Sequence, residues 1–74
     1  MNLADIVKGV APTIATALGG PLAGAAVTFL ADKLGASDKT QEAVTQIVQG
    51  VDPVKMKQLD YEFQEHMATL GIQL

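Results

Sequence analysis

Residues 9–31, with the sequence GVAPTIATALGGPLAGAAVTFLA, carry no charged side chain, whereas Lys, Asp and Glu are scattered through the rest of the chain. An uncharged run of this length reaches the roughly 20 residues that a membrane-spanning helix needs. Most of the run is Ala, Gly or Thr, however, and Gly19, Gly20 and Pro21 interrupt it in the middle. Because Gly-Gly-Pro supplies a flexible turn and a proline suited to the first position of a helix, the run predicts a hairpin of two short helices, the second opened by Pro21.

The composition of this hairpin leaves two interpretations open. Gly20 and Gly24 have the GxxxG spacing that lets two helix backbones approach closely. The hairpin is then either a tight Ala-rich helix pair inside a water-soluble bundle, or a surface that contacts a bilayer or other copies of the chain. The residues predicted for self-association or membrane contact are Ile14, Leu18, Gly20, Leu22, Gly24, Phe29 and Leu30.

Residues 1–35 contain this apolar hairpin and its boundary signals. Asn2 is suited to cap the first helix. Pro12 should kink or break that helix near residues 8–11, because a proline removes one backbone hydrogen bond and clashes one turn back. Gly35 is placed to end the second helix in the left-handed conformation.

Residues 36–74 are predicted to form two amphipathic helices. Ser37 or Asp38 is suited to cap the third helix. The fourth helix has the clearest start, because the acid Asp52 precedes a proline at the first helical position. Gly71 follows its last turn as a terminator. The sequence therefore predicts one all-α domain over residues 1–74, either a small bundle or extended helices that form oligomers.

An apolar stripe along the fourth helix is the predicted helix-seam interface. Such a stripe is too apolar to remain in water on a long exposed helix. It either folds back onto the hairpin within one chain or packs against a second copy. We expect the second arrangement, and therefore a homo-oligomer, because 74 residues bury little apolar surface alone. The stripe residues are Met56, Leu59, Phe63, Met67 and Leu70.

Composition argues against several functional classes. The net charge is −3, and the five basic residues are all Lys, interleaved with acids, so no basic stripe suits nucleic acid. No nucleophile stands near a base, and one His without Cys supplies few metal ligands. His66 is expected on a helix surface or at a helix seam, and the acidic Asp60, Glu62 and Glu65 are expected on a solvated helix face. The sequence predicts a non-enzymatic protein with no cofactor, metal, small-molecule substrate or nucleic-acid partner.

One resemblance is carried by residues 11–24, with the sequence APTIATALGGPLAG. This stretch resembles the amino-terminal region of small phage holin-like proteins, the three-span family linked to gene-transfer release. Residues 62–64, followed by Met67, Leu70 and Gly71, are similar to the middle region of that family. The resemblance leaves out the family's carboxy-terminal membrane helices. It implies a phage setting and supplies no catalytic residues.

Three functional hypotheses follow. The first is a small phage protein that acts by self-association and by contact with a membrane surface or a partner protein, in the host cytoplasm or at the inner membrane. The second is a virion component, such as a minor capsid, tail or ejected internal protein. The third is a bacteriocin-like peptide, which the Gly/Ala bias favours and the net negative charge disfavours.

Overall fold

Five α-helices make up the fold of this chain in a computed structural model that describes residues 2–73. They are α1 (Leu3–Val7), α2 (Pro12–Leu18), α3 (Ala23–Leu34), α4 (Gln41–Val48) and α5 (Pro53–Thr69). No strand occurs within residues 2–73, so the prediction of an all-α chain is confirmed.

Side-chain caps start α1 and α5 at the positions that the sequence predicts. The Asp5 N–H donates a hydrogen bond to Asn2 Oδ1 at 2.9 Å. The Val54 N–H donates in the same way to Asp52 Oδ1 at 2.7 Å. In both helices the cap satisfies one of the amide groups that a helix start leaves without a partner inside the helix.

Helix α4 begins later than predicted. Its N-cap is Thr40, whose Oγ1 accepts a hydrogen bond from the third amide of the helix at 3.2 Å, and neither Ser37 nor Asp38 fills that role. Lys39 Nζ lies 3.0 Å from Asp32 Oδ1, so this ion pair joins the residue before the cap to α3. The cap prediction was wrong because Ser37 and Asp38 belong to the link between the helices.

Residues 1–35 contain three helices instead of two, and the uncharged run of residues 9–31 holds two of them, α2 and most of α3. Pro12 breaks the predicted first helix, as expected, and becomes the first residue of α2, with residues 8–11 as the link. Pro21 does not open α3, contrary to the prediction. The Gly20 carbonyl accepts a hydrogen bond from the Ala23 N–H at 3.2 Å, so Pro21 lies inside a turn and the helix starts at Ala23.

Two glycines end the longest helices in the predicted way. Gly35 and Gly71 have φ of 75° and 76°, in the left-handed region that side chains with a Cβ rarely adopt. After α5 the Ile72 N–H donates to the Met67 carbonyl at 2.9 Å, and the Gly71 N–H donates to the Ala68 carbonyl at 3.0 Å. These two bonds form a Schellman motif, which satisfies carbonyls that the helix end would leave free.

Helix α5 is the longest helix of the fold. At 1.5 Å per residue it is about 25 Å long, close to the 30 Å longest dimension of the molecule. It packs against α2 and α3, while α1 packs against α2 and α4, and α3 also contacts α4. Every helix contributes to the fully buried core, whose largest side chains are Phe63, Leu3, Ile14, Leu30, Met56, Leu59, Met67, Val7 and Val44.

The apolar stripe of α5 faces the inside of its own chain. The rings of Phe63 and Phe29 pack edge to face, with their centroids 5.3 Å apart. Leu70 was predicted to belong to this stripe, but its side chain is 57% exposed. It is the C-cap of α5, where the chain turns away at Gly71. The structure thus has the folded-back arrangement, and the free stripe that we expected is not found. The other four stripe residues, at most 2% exposed, are Met56, Leu59, Phe63 and Met67.

Candidate functional site

A surface groove of about 670 Å³ runs between α3 and α5. We call it the α3–α5 groove. The side chains of Phe29 and Met67 lie beneath it and are almost fully buried. The exposed residues of its two walls are Gly24, Ala25, Thr28, Asp32 and Lys33 on α3, Glu65, His66 and Thr69 on α5, and Leu70 at the end of α5.

An ion pair closes one end of the α3–α5 groove. Lys33 Nζ lies 3.1 Å from Glu62 Oε1 and 5.7 Å from the centroid of the Phe29 ring. Gln58 Nε2 donates a second hydrogen bond to Glu62, at 3.1 Å. The hydrogen bond from Lys33, followed by the one from Gln58, lowers the pKa of Glu62 below its ordinary value of 4.5. This end of the groove is therefore charged and joins the two helices.

The opposite end of the α3–α5 groove is apolar. The ring centroids of Phe29 and His66 lie 5.8 Å apart. Phe29 lies one turn before Lys33 in α3, whereas His66 lies one turn after Glu62, the ion-pair partner of Lys33, in α5. The two helices therefore run antiparallel, which places Gly24 and Leu70 at the end away from the ion pair. Leu70 is one of the three large apolar side chains that are exposed within residues 2–73.

Gly24 leaves open space on the α3 wall. A Cβ added at Gly24 would meet no heavy atom within 4 Å, and one added at Gly20 would meet only the Thr16 carbonyl oxygen at 3.7 Å. The prediction that these glycines allow close backbone contact inside the hairpin is therefore wrong. Gly24 is the second residue of α3, and packing within this chain gives no reason for a glycine there.

A buried carboxylate joins α5 to the start of α2. The Ile14 N–H donates a hydrogen bond to Asp60 Oδ1 at 2.8 Å, and Asp60 is only 6% exposed. Gln64 Nε2 donates to Thr13 Oγ1 at 3.0 Å on the same seam. Asp60 was expected on a solvated acidic face, and that prediction is wrong. It caps α2 from another helix and fixes α2 against α5.

A sequence signal for this contact does exist. Ala11, the N-cap of α2, offers no side-chain acceptor for the first amide groups of that helix. A helix start without its own cap needs an acceptor from elsewhere when it is buried. Asp60 also directly follows Leu59, a member of the apolar stripe, so it lies at the edge of the buried face of α5.

The residues predicted for self-association or membrane contact are divided between the core and the surface. Ile14, Leu18, Phe29 and Leu30 are buried inside the chain, and Leu22 is half-buried. Gly20 and Gly24 are exposed. Of the seven predicted residues, Gly24 and the buried Phe29 line the α3–α5 groove. Within residues 2–73, none of the helices has both the length and the apolar character needed to cross a membrane.

Comparisons with protein-family models, with curated proteins and with solved structures find no match to this chain. The resemblance of residues 11–24 to holin-like proteins therefore stays a prediction. In the part of the chain that the structure describes, no three His, Asp or Glu side chains come together as metal ligands.

Proposed function

We propose that this protein is a small, non-enzymatic binding module, and that an amphipathic helix of a partner protein docks in its α3–α5 groove. Recognition of this kind places the apolar face of a helix between two helices of the receptor. The apolar end of the groove, around Leu70, supplies the surface that such a helix would cover.

Gly24 is the observation that carries this proposal. Its exposed position in a helix and the empty space around it allow a partner backbone to approach α3 closely. Ala25 and Thr28, which are also small, continue the same wall of the groove. A helix docked there would bury the remaining surface of Leu70, which is 57% exposed, so complete burial contributes roughly 1–2 kcal/mol.

Charge favours a partner protein over a bilayer surface. The chain has a net charge of −3, and the groove is lined by the carboxylates of Asp32, Glu62 and Glu65 together with one lysine, Lys33. Helices that lie on membranes are instead rich in basic residues, which anionic lipids attract. The apolar side chains of the hairpin are also occupied in the core of the chain.

The phage setting implied by the resemblance is retained as the biological context of this proposal, so the partner is expected to be another phage protein. A holin-like role and a virion role differ in where that partner is found. Lysis genes beside the reading frame would favour the first role, and morphogenesis genes or copies in purified particles would favour the second.

Titration with a designed peptide tests the groove directly. The probe is a synthetic helical peptide with Leu at positions i, i+3, i+4 and i+7 and Lys on its other face. Added to the ¹⁵N-labelled protein, it should shift amide resonances along both walls of the groove. No shift at millimolar peptide, or shifts confined to other surfaces, would contradict the proposal.

A pair of glycine variants supplies the control. Gly24→Leu fills the groove and should weaken peptide binding about tenfold, the effect of losing one well-packed contact of about 1.4 kcal/mol. Gly9→Leu adds the same side chain at a position that is equally open and exposed but lies outside the groove. It should leave binding unchanged. If the protein does not bind the peptide but floats with neutral or anionic vesicles, the result would support membrane contact instead of a partner helix.

A further inference from the structure

The outward side of α5 carries a second apolar stripe that packing within the chain leaves uncovered. Val54 and Tyr61 are 74% and 62% exposed, and Ala68 is exposed as well. These residues are spaced by seven, so they lie almost directly above one another on a helix with 3.6 residues per turn. We call these three residues, with the exposed Lys57 and Glu65 between them, the outer face of α5.

The outer face of α5 is symmetric about Tyr61. Lys57 lies four residues before Tyr61 and Glu65 four residues after it, about 6 Å along the helix axis in either direction. Val54 and Ala68 lie seven residues before and after it. In an antiparallel pair of identical helices centred on Tyr61, residues equally distant from the centre face each other.

We propose that the outer face of α5 binds a second copy of this chain, with the two α5 helices antiparallel and crossing at Tyr61. Lys57 of each copy then faces Glu65 of the other, which forms two identical ion pairs. Val54 faces Ala68 of the second copy in the same way. An isologous contact of this kind uses one self-complementary patch on both copies. Glu65 is the one residue that this surface shares with the lining of the α3–α5 groove.

Charge complementarity selects a second copy as the occupant. The ion pairs among residues 2–73 are Lys33–Glu62 and Lys39–Asp32, so Lys57 and Glu65 are left without an ion-pair partner in that range. The neighbouring amides are already engaged, since Gln58 donates to Glu62 and Gln64 donates to Thr13. A parallel pair would instead place Lys57 against Lys57 and Glu65 against Glu65.

The dimer should be weak. One helix per copy, about 25 Å long, gives an interface at the small end of protein–protein contacts, where association is transient. Sedimentation should therefore show a monomer–dimer equilibrium that shifts towards the dimer at high protein concentration. Added salt should shift it back towards the monomer, because exposed ion pairs are screened.

Charge-reversal variants test the antiparallel pairing. Lys57→Glu and Glu65→Lys should each raise the dimer Kd about tenfold, because both ion pairs become repulsive contacts. Mixing the two variants restores both pairs in a heterodimer, since every Glu then faces a Lys. The double variant Lys57→Glu/Glu65→Lys should also recover the dimer.

Lys55→Glu is the matched control, because it makes the same charge change on α5 but lies to the side of the outer face. It should leave the Kd unchanged. Two results would overturn the proposal: an unmodified protein that stays monomeric at millimolar concentration, or a mixture of the two charge variants that associates no better than either alone. Neither result would contradict the proposal for the α3–α5 groove, which the peptide titration tests independently.

Discussion

Replacing Asp60 by Ala should destabilise the chain by about 2 kcal/mol. The substitution leaves the Ile14 N–H, which donates to the carboxylate at 2.8 Å, without its acceptor in a buried setting. An unsatisfied buried donor costs about 1–3 kcal/mol, and the loss of a helix N-cap costs about 0.5–2 kcal/mol. These two figures describe the same hydrogen bond, so about 2 kcal/mol is the combined estimate. For a domain of this size the loss corresponds to a fall in Tm of about 8–16 °C.

Urea unfolding followed by circular dichroism measures this change. Asp52→Ala is the control, because Asp52 also caps a helix, at 2.7 Å from the Val54 N–H, but lies in solvent. Water can replace that exposed cap, so its removal should cost about 0.5–1 kcal/mol. Asp60→Asn keeps an acceptor oxygen and should fall between the two Ala variants. If Asp60→Ala costs no more than Asp52→Ala, the buried contact does not hold α2 in place.

Three further changes follow from the structure. Phe63→Ala should cost about 3–5 kcal/mol in urea unfolding, since the ring is fully buried against Phe29; a loss below 1 kcal/mol would argue against a core position. Gly24→Ala should stabilise by about 0.5–1 kcal/mol because its Cβ has open space, whereas Gly35→Ala should destabilise because φ is +75°; thermal melts showing equal effects would contradict this contrast. The pKa of Glu62 is lowered in the folded chain. The ionised carboxylate therefore stabilises the fold at pH values above its unfolded-state pKa, and this contribution is lost as the pH falls through its folded-state pKa. Glu62→Gln should abolish this loss of stability on the acid side, and a variant with an unchanged pH profile of stability would refute the prediction.

The sequence predicts the helices of this chain well because their boundary signals act locally. Asn2, Asp52, Gly35 and Gly71 each determine the backbone within a few residues of themselves, and the structure confirms all four. The break of the predicted first helix at Pro12 is confirmed as well, for the same local reason. The prediction that Pro21 opens α3 was wrong because a hydrogen bond from the Ala23 N–H to the Gly20 carbonyl closes a turn around Pro21. The proline alone does not distinguish such a turn from a helix start.

The surfaces are harder to predict because they depend on which helices meet. The periodicity of α5 identifies a buried stripe, but it does not say whether another copy or the same chain covers that stripe. The carboxylate of Asp60 is buried because the first turn of α2 packs against it, 46 residues away in the sequence. Gly24 fits a close helix contact by its spacing, yet the space beside it is open.

The most direct test of this account is an isotope-filtered NOE experiment on a mixture of labelled and unlabelled chains. It separates contacts within one chain from contacts between copies. Contacts between the rings of Phe29 and Phe63, 5.3 Å apart, should occur only within a chain, because the stripe of α5 is the core of one molecule. Contacts between copies should instead connect Val54 with Ala68. Phe29–Phe63 contacts between copies would mean that the helices exchange their core across an oligomer, and would contradict the account.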